Sequence, residues 1–298
     1  MRHHKIFIIG ALALAMLSIN AGNKKSPKFF QGLDDYVFVP GGKVYVETGN
    51  KNKDYDTTRV NSFYISKYEI SNRQYTEFLT ELQQQQQYDK LLIARIDTLK
   101  WRDKYAFNEP YVMYYHKHPA YAGYPVVNIT YEGAVLYCKW LSEKYNKVHP
   151  DNGYIVEFRL PARAEWIRAA RGDNKLGAYS WDGPYLRNSK GIIQCNFLRY
   201  GDENIHYNPE TKKYEVAHMD QWAVFAGDIT APVKSYFANC YGIYNMCGNV
   251  AEMVAEKGIA AGGSYADPGY DVRVESIRQY DEASPVIGFR PVMTFVMK

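Results

Sequence analysis

The residues best placed to do chemistry are four cysteines, Cys138, Cys195, Cys240 and Cys247, and two histidines two positions apart, His116 and His118. Thiolates are nucleophiles and soft metal ligands, so the position of each cysteine decides which chemistries are open. In an oxidising compartment Cys240 can pair with Cys247 and Cys138 with Cys195, and spacing leaves that connectivity open. Cys138 lies on the apolar face of a predicted helix, which favours a plain buried thiol. The histidines have no third clustered ligand and read as loop residues that bind no metal. The sequence has no Gly-x-Ser-x-Gly elbow for a nucleophilic serine. Gly41-Gly42-Lys43 lacks the spacing and the hydroxyl of a phosphate loop. Carboxylate pairs such as Asp281-Glu282 sit in polar loops and read as solvated. Residue types and spacing alone give no catalytic constellation.

The elements that must position these residues belong to a globular chain of 298 residues, 46% hydrophobic and 23% charged. With no internal repeat and no Pro/Gly/Ser linker, a single domain over residues 36–298 is expected. A formal charge of +4 and a pI near 8.6 give no field strong enough to draw in nucleic acid. The 28 tyrosines, against 13 phenylalanines, suit a binding surface, because tyrosine gives large contact area at low entropic cost. Arg2 and Lys5 precede the apolar run Ile6 to Leu17, and small residues follow to Ala21. That order predicts a signal peptide over residues 1–21 and export to the periplasm or the outer membrane. Its removal lowers the formal charge from +4 to +2. No cysteine follows the apolar run, so the lipid-anchoring route is closed and membrane association is expected only through a partner. Residues 22–35 read as a flexible basic lead-in.

Tyr36 to Val39 and Lys43 to Glu47 read as the two strands of a hairpin, followed by a polar loop from Thr48 to Thr58 and a strand from Val60 to Ile65. Ser71 with Gln74 forms a capping box ahead of the stripe Tyr75, Phe78, Leu79 and Leu82, and Gln83 to Gln87 ends that helix. Thr130 caps a second helix carrying Ala134, Tyr137, Cys138 and Leu141 on one face. A third runs from Pro161 to Gly172 with Trp166, Ala169 and Ala170 inward. From Asp173 to Asn239 the chain is rich in Gly, Asn and Tyr, with little periodicity.

Segments along the chain resemble, in order, the formylglycine-generating enzyme (sulfatase-modifying factor) superfamily. They include Phe38-Val39-Pro40-Gly41-Gly42, Tyr68-Glu69-Ile70-Ser71-Asn72, Arg159-Leu160-Pro161, Tyr244-Asn245-Met246-Cys247-Gly248-Asn249-Val250, Gly262-Gly263-Ser264 and Gly288-Phe289-Arg290. The resemblance implies an α+β domain with the formylglycine-generating-enzyme fold, related to C-type lectins and rich in irregular loops. Residues 97–125, from Asp97 through Trp101 and Glu109-Pro110 to Tyr124-Pro125, resemble an insertion in the gliding-motility and type IX secretion lipoproteins of Bacteroidetes (the GldJ/GldK/PorK group). Those proteins carry a lipid-anchor cysteine that this chain lacks.

The enzymes of the superfamily hold copper with a cysteine pair shortly after Gly-Gly-Ser. Here that motif is followed by Tyr265-Ala266-Asp267-Pro268-Gly269, and no cysteine occurs after Cys247. Carboxylates do not replace soft thiolates for Cu(I), so neither copper nor catalysis is expected. The resemblance implies a calcium site at Asn245, Gly248, Val250 and Glu252, by side-chain oxygens of the first and last and main-chain carbonyls between, all hard oxygen ligands. Ala251 and Met253 stand where the family has tryptophans, and Ala162 where it has a capping threonine. A second calcium position would use Asn196, the Phe197 carbonyl and an aspartate where Phe225 stands, unless Asp228 shifts into place. The expected function is a non-catalytic assembly component of an envelope secretion or gliding machine. Its partners would be envelope proteins, including a periplasmic ring subunit of the GldN/PorN kind and the chain itself. A lectin-like or peptide-binding module and an oxidase with an altered site are the alternatives.

Overall fold

Two helix starts, at Asn72 and Tyr131, follow the capping chemistry read from the sequence. The structure, a computed structural model, describes residues 33–48, 55–102, 107–150, 153–199, 205–216 and 229–297. The chain divides into residues 1–34 and 35–298, and every described helix and strand lies in the second unit. The predicted signal peptide and most of the lead-in lie outside the described residues, as do Phe225 and Asp228. Among the described residues no helix is long and apolar enough to cross a membrane.

In chain order the elements begin with β1 (Tyr36–Val39), β2 (Gly42–Glu47), β3 (Tyr55–Val60), β4 (Phe63–Ser66), α1 (Asn72–Gln84), α2 (Tyr88–Ala94) and α3 (Glu109–Tyr114). They continue with α4 (Tyr131–Val148), β5 (Tyr154–Arg159), α5 (Arg163–Arg171), β6 (Ile205–Asn208) and β7 (Lys213–Val216). Last come β8 (Ala251–Met253), β9 (Ile259–Ala261), β10 (Ile277–Gln279), β11 (Ile287–Gly288) and β12 (Val292–Met297). One sheet runs β1-β4-β12-β5, a second β10-β9-β8-β11, and β2-β3 and β6-β7 are two-stranded ribbons. This mixture of helices and sheets joined by long irregular segments is the α+β architecture expected.

The predicted hairpin of residues 36–47 does not form. β1 pairs with β4, Val39 opposite Phe63, while β2 pairs with β3, Val44 opposite Thr58. Pro40 has no N–H to continue a ladder. Gly41 is pressed so closely on the β3–β4 corner that a Cβ there would lie 2.8 Å from the Val60 carbonyl oxygen and the Ser62 nitrogen. The chain therefore breaks into two ribbons, and part of the predicted loop from Thr48 to Thr58 becomes β3.

Ser71 and Gln74 cap α1 as predicted, with the Ser71 N–H donating to Gln74 Oε1 at 2.9 Å. Tyr75, Phe78 and Leu82 are buried, and Tyr75 stacks on Tyr137 of α4 at 5.7 Å. Thr130 Oγ1 accepts the Gly133 N–H at 3.0 Å and opens α4. The third helix starts two residues later than predicted: α5 begins at Arg163, and Ala162 occupies the cap position without a side-chain acceptor. The missing oxygen comes from 93 residues away, where the Glu256 carboxylate accepts the Arg163 N–H at 3.0 and 3.2 Å. Trp166, Ile167, Ala169 and Ala170 then bury one face of α5 against Val39, Phe63, Ile65 and Val292 of the first sheet.

Removing an N-terminal cap costs typically about 1 kcal/mol. Glu256→Ala is therefore expected to lower stability by about that amount in urea unfolding, with the slope unchanged, and Ala162→Ser in the same background to recover most of it.

Candidate functional site

The segment from Asn245 to Glu252 enters β8 through a tight coil in which Asn245, Gly248 and Asn249 all take positive φ, +54°, +76° and +64°. Glycine is required at 248, because a Cβ there would sit 2.2 Å from the Asn196 carbonyl oxygen. The Asn249 N–H donates to that carbonyl at 2.8 Å, and the Asn196 amide donates to the Ile229 carbonyl at 2.9 Å. Asn196, assigned by the resemblance to a second calcium position, thus ties this coil to residue 229, while the carboxylate partner proposed for it lies outside the described residues.

Glu252 and Asn245 meet a network that the sequence reading missed. Arg290 is completely buried and uses all five of its N–H groups. Nε and Nη2 hold the two Glu252 carboxylate oxygens at 2.7 and 2.6 Å. Nη1 donates to the Ser66 and Lys67 carbonyls, and Nη2 to the Tyr244 carbonyl at 2.7 Å. Trp166 Nε1 donates to the same Glu252 carboxylate at 2.7 Å. Glu69, also buried, accepts the side-chain amides of Asn245 at 3.1 Å and Asn249 at 2.8 Å and lies 4.0 Å from the Arg290 guanidinium. Burial pushes the Glu69 carboxyl up to about 7, with Arg290 pulling the other way and the Glu252 charge adding to the rise.

Two carboxylates therefore face one guanidinium, and the Asn245 side-chain oxygen is buried with no hydrogen-bond partner. An excess buried carboxylate beside an unused amide oxygen is a hard-oxygen environment that suits a cation. Glu252 is less free than the resemblance implied, since three donors already occupy its oxygens. Among the described residues no three His, Cys, Asp or Glu side chains gather as a metal-binding group. Glu69 was legible only as part of a family motif; nothing in its spacing marks it as the hub of both asparagines.

The loop after Gly-Gly-Ser is held shut by side chains. Asp267 accepts the Ser264 N–H at 2.8 Å and its hydroxyl at 2.7 Å, and its other oxygen pairs with Arg278. Gly262 and Gly263 take positive φ, and a Cβ on Gly263 would lie 2.3 Å from the Asp271 carbonyl oxygen. A cleft of about 440 Å³ opens beside it, lined by Asp267, Asp271, Arg273 and Arg278 among others.

The cysteines make neither of the pairings left open by spacing: all four are free thiols, with Cys240 exposed and the other three buried. Burial raises the Cys138 and Cys195 thiols and pushes Cys247 up to about 12. His116 and His118 each bond a neighbouring segment. His116 Nδ1 donates to the Asn72 side-chain oxygen at 2.9 Å, a direction fixed because the Asn72 amide gives both its hydrogens to the Tyr115 and Tyr121 carbonyls. Its Nε2 accepts from Trp101 at 3.4 Å, and burial pushes the imidazole down to about 3. His118 Nδ1 accepts the Ala120 N–H at 3.2 Å and starts a short 3₁₀ turn.

The chain belongs to the sulfatase-modifying factor enzyme 1-like domain family, whose model matches residues 23–295. It is 26% identical over 225 residues to serine/threonine-protein kinase Pkn1 of Chlamydia trachomatis, covering 74% of this chain and 27% of that protein. The chain thus spans only about a quarter of that relative's length. A formylglycine-generating enzyme of Thermomonospora curvata is 30% identical over 133 residues, 45% of this chain and 33% of that one. An inactive C-alpha-formylglycine-generating enzyme 2 of Bos taurus is 29% identical over 139 residues, 46% of this chain and 35% of that one. Among solved structures, CarF superposes with a TM-score of 0.56 at 24% identity, over 87% of this chain and 97% of its own. That likeness shows the fold.

Two outcomes follow from the buried groups. Glu252→Gln takes away the carboxylate that Arg290 bonds twice and leaves Glu69, 4.0 Å away, as its remaining countercharge, so Tm should fall. Glu252→Gln combined with Glu69→Gln, which strands the guanidinium, should cost about 3–5 kcal/mol. His116 titrates near 6.5 when unfolded and near 3 when folded, so the unfolded chain takes up the proton first as pH falls. Stability should drop below pH 6.5 by up to about 1.4 kcal/mol per pH unit from this group. Glu69, raised from 4.5 to about 7, acts in the opposite sense. Urea midpoints at pH 7 and pH 5 should therefore be compared between the native chain and His116→Gln, whose loss across that interval should be smaller.

Proposed function

We propose that this protein is a non-catalytic, exported assembly component of a type IX secretion or gliding-motility envelope complex, acting through protein–protein contacts. The observation that carries the reading is the loop after Gly-Gly-Ser, where Asp267 bonds Ser264 and pairs with Arg278. An ion pair and a capped serine give a copper ion no thiolate, and no cysteine follows Cys247 in the sequence. The buried cysteines have raised thiols, the opposite of what an activated nucleophile needs. The placement in that envelope machine rests on the resemblance of residues 97–125, where Trp101, Tyr111, Tyr115 and Tyr121 pack as one aromatic cluster.

Calcium is proposed as a structural ion beside this network. Asn245 would offer its unpartnered side-chain oxygen, Gly248 and Val250 their carbonyls, and Glu252 the remaining capacity of its carboxylate, while Glu69 supplies the charge that a cation would neutralise. Bound there, calcium supplies positive charge and fixes the coil that enters β8.

The purified chain should consume no oxygen with copper and a cysteine-containing peptide, and crosslinked envelopes should yield it with a stoichiometric protein partner. Copper-dependent oxygen uptake would establish the oxidase instead, and recovery without any partner would remove the assembly role. Calcium should raise Tm against a chelator control, and Asn245→Ala should abolish the rise; an unchanged Tm in the native chain would dismiss the ion.

A further inference from the structure

The β2–β3 ribbon carries an unused edge. β3 pairs only with β2 among the described residues, and Tyr55 through Arg59 are exposed. The register sets Lys43 opposite Arg59, Tyr45 opposite Thr57 and Glu47 opposite Tyr55. Opposed residues share a face of the pleat. Val44 is buried and Val46 packs on the core, so the face they share with Thr58 and Asp56 looks inward. Lys43, Tyr45, Glu47, Tyr55, Thr57 and Arg59 share the opposite face, on which Tyr45 and Glu47 are half-buried. It is basic at one end, and at the other Glu47 and Tyr55 border a pocket lined also by Arg171 and Arg273.

We propose that β3 pairs antiparallel with β3 of a second copy of this chain, about a two-fold axis at Thr57, giving a four-stranded sheet shared by two protomers. Symmetry limits the choice, because an antiparallel strand meeting its own copy must set one residue opposite itself to keep the pleat in phase. Centred on Thr57, the pairing sets Arg59 opposite Tyr55 of the second copy and Asp56 opposite Thr58. The row on this face across the junction then reads Lys43, Arg59, followed by Tyr55 and Glu47 of the second copy. A guanidinium meets an aromatic ring with a carboxylate behind it, and two threonines meet at the axis; each such cross-strand pair is favourable. Within one chain Lys43 opposite Arg59 is a like-charge pair, which Glu47 of the second copy offsets. Centring on Thr58 would instead set Asp56 opposite Val60 and Arg59 opposite Thr57, with no complementary pair.

The edge contains no proline, one of the residues that block such pairing. A contact built on one edge strand is small, so the dimer is reversible and concentration-dependent. This inference is independent of the envelope assignment and of calcium.

Sedimentation equilibrium on the purified chain should show a monomer–dimer equilibrium. Arg59→Glu should weaken it at least tenfold, and Arg59→Glu with Glu47→Lys should restore it. Opposed Cα atoms at the axis lie about 4.5–5.5 Å apart, within disulfide reach. In a Cys240→Ser background, Thr57→Cys should therefore form a covalent dimer under mild oxidation and Thr58→Cys should not. A monomer at every concentration, a dimer indifferent to Arg59→Glu, or a crosslink at position 58 in place of 57 would each overturn the proposal. Circular dichroism of each variant checks that the fold survives.

Discussion

A guanidinium buried from all solvent has to find five acceptors and a countercharge, and the rest of this molecule is arranged around that demand. Stranding one partner of such a buried pair costs several kcal/mol. Arg290 draws its acceptors from three places: the Ser66 and Lys67 carbonyls at the end of β4, the Tyr244 carbonyl ahead of the coil, and Glu252 in β8. Residues far apart in the chain are thereby fixed relative to one another. Trp166 brings α5 to the same carboxylate. The two four-stranded sheets and α5 share one electrostatic centre.

That centre explains why so much irregular backbone can hold its shape. Loops cannot satisfy their own polar groups as helices do, so here they borrow. Asn249 accepts the Ala231 N–H and gives its amide to Glu69, and Asn239 donates to the last turn of α5. Asparagine in the left-handed region performs two tasks at once, turning the chain and bonding across it. The unspent oxygen of Asn245 and the second carboxylate mark where this arrangement is left incomplete.

Local chemistry was legible in the sequence and distant chemistry was not. The Ser71–Gln74 box and the Thr130 cap were read correctly because their partners lie within three residues. The stripe Tyr75, Phe78 and Leu82 was read because periodicity reports burial. The 36–47 hairpin failed because strand partnership depends on a glycine pressed against another segment, which no local pattern reveals. The start of α5 was misplaced for the same reason, its cap being supplied by Glu256. At the candidate site, ordered family motifs located Asn245 and Glu252, yet Arg290 and Trp166 claim Glu252 from sequence positions 38 and 86 residues away. His116 and His118 each bond a neighbouring segment, an arrangement their two-residue spacing does not reveal.

The strand order of the first sheet sets a timetable. β12, from the last residues of the sequence, lies between β4 and β5, both made long before it. During synthesis β4 and β5 have no neighbour in common until the ribosome has passed Val292, and Glu69 and Glu252 have no cation until Arg290 emerges. Contacts of such long sequence separation form slowly. The first sheet and its buried charge cluster are thus completed only once Arg290 and Val292 have been made, however early β4 and β5 appear.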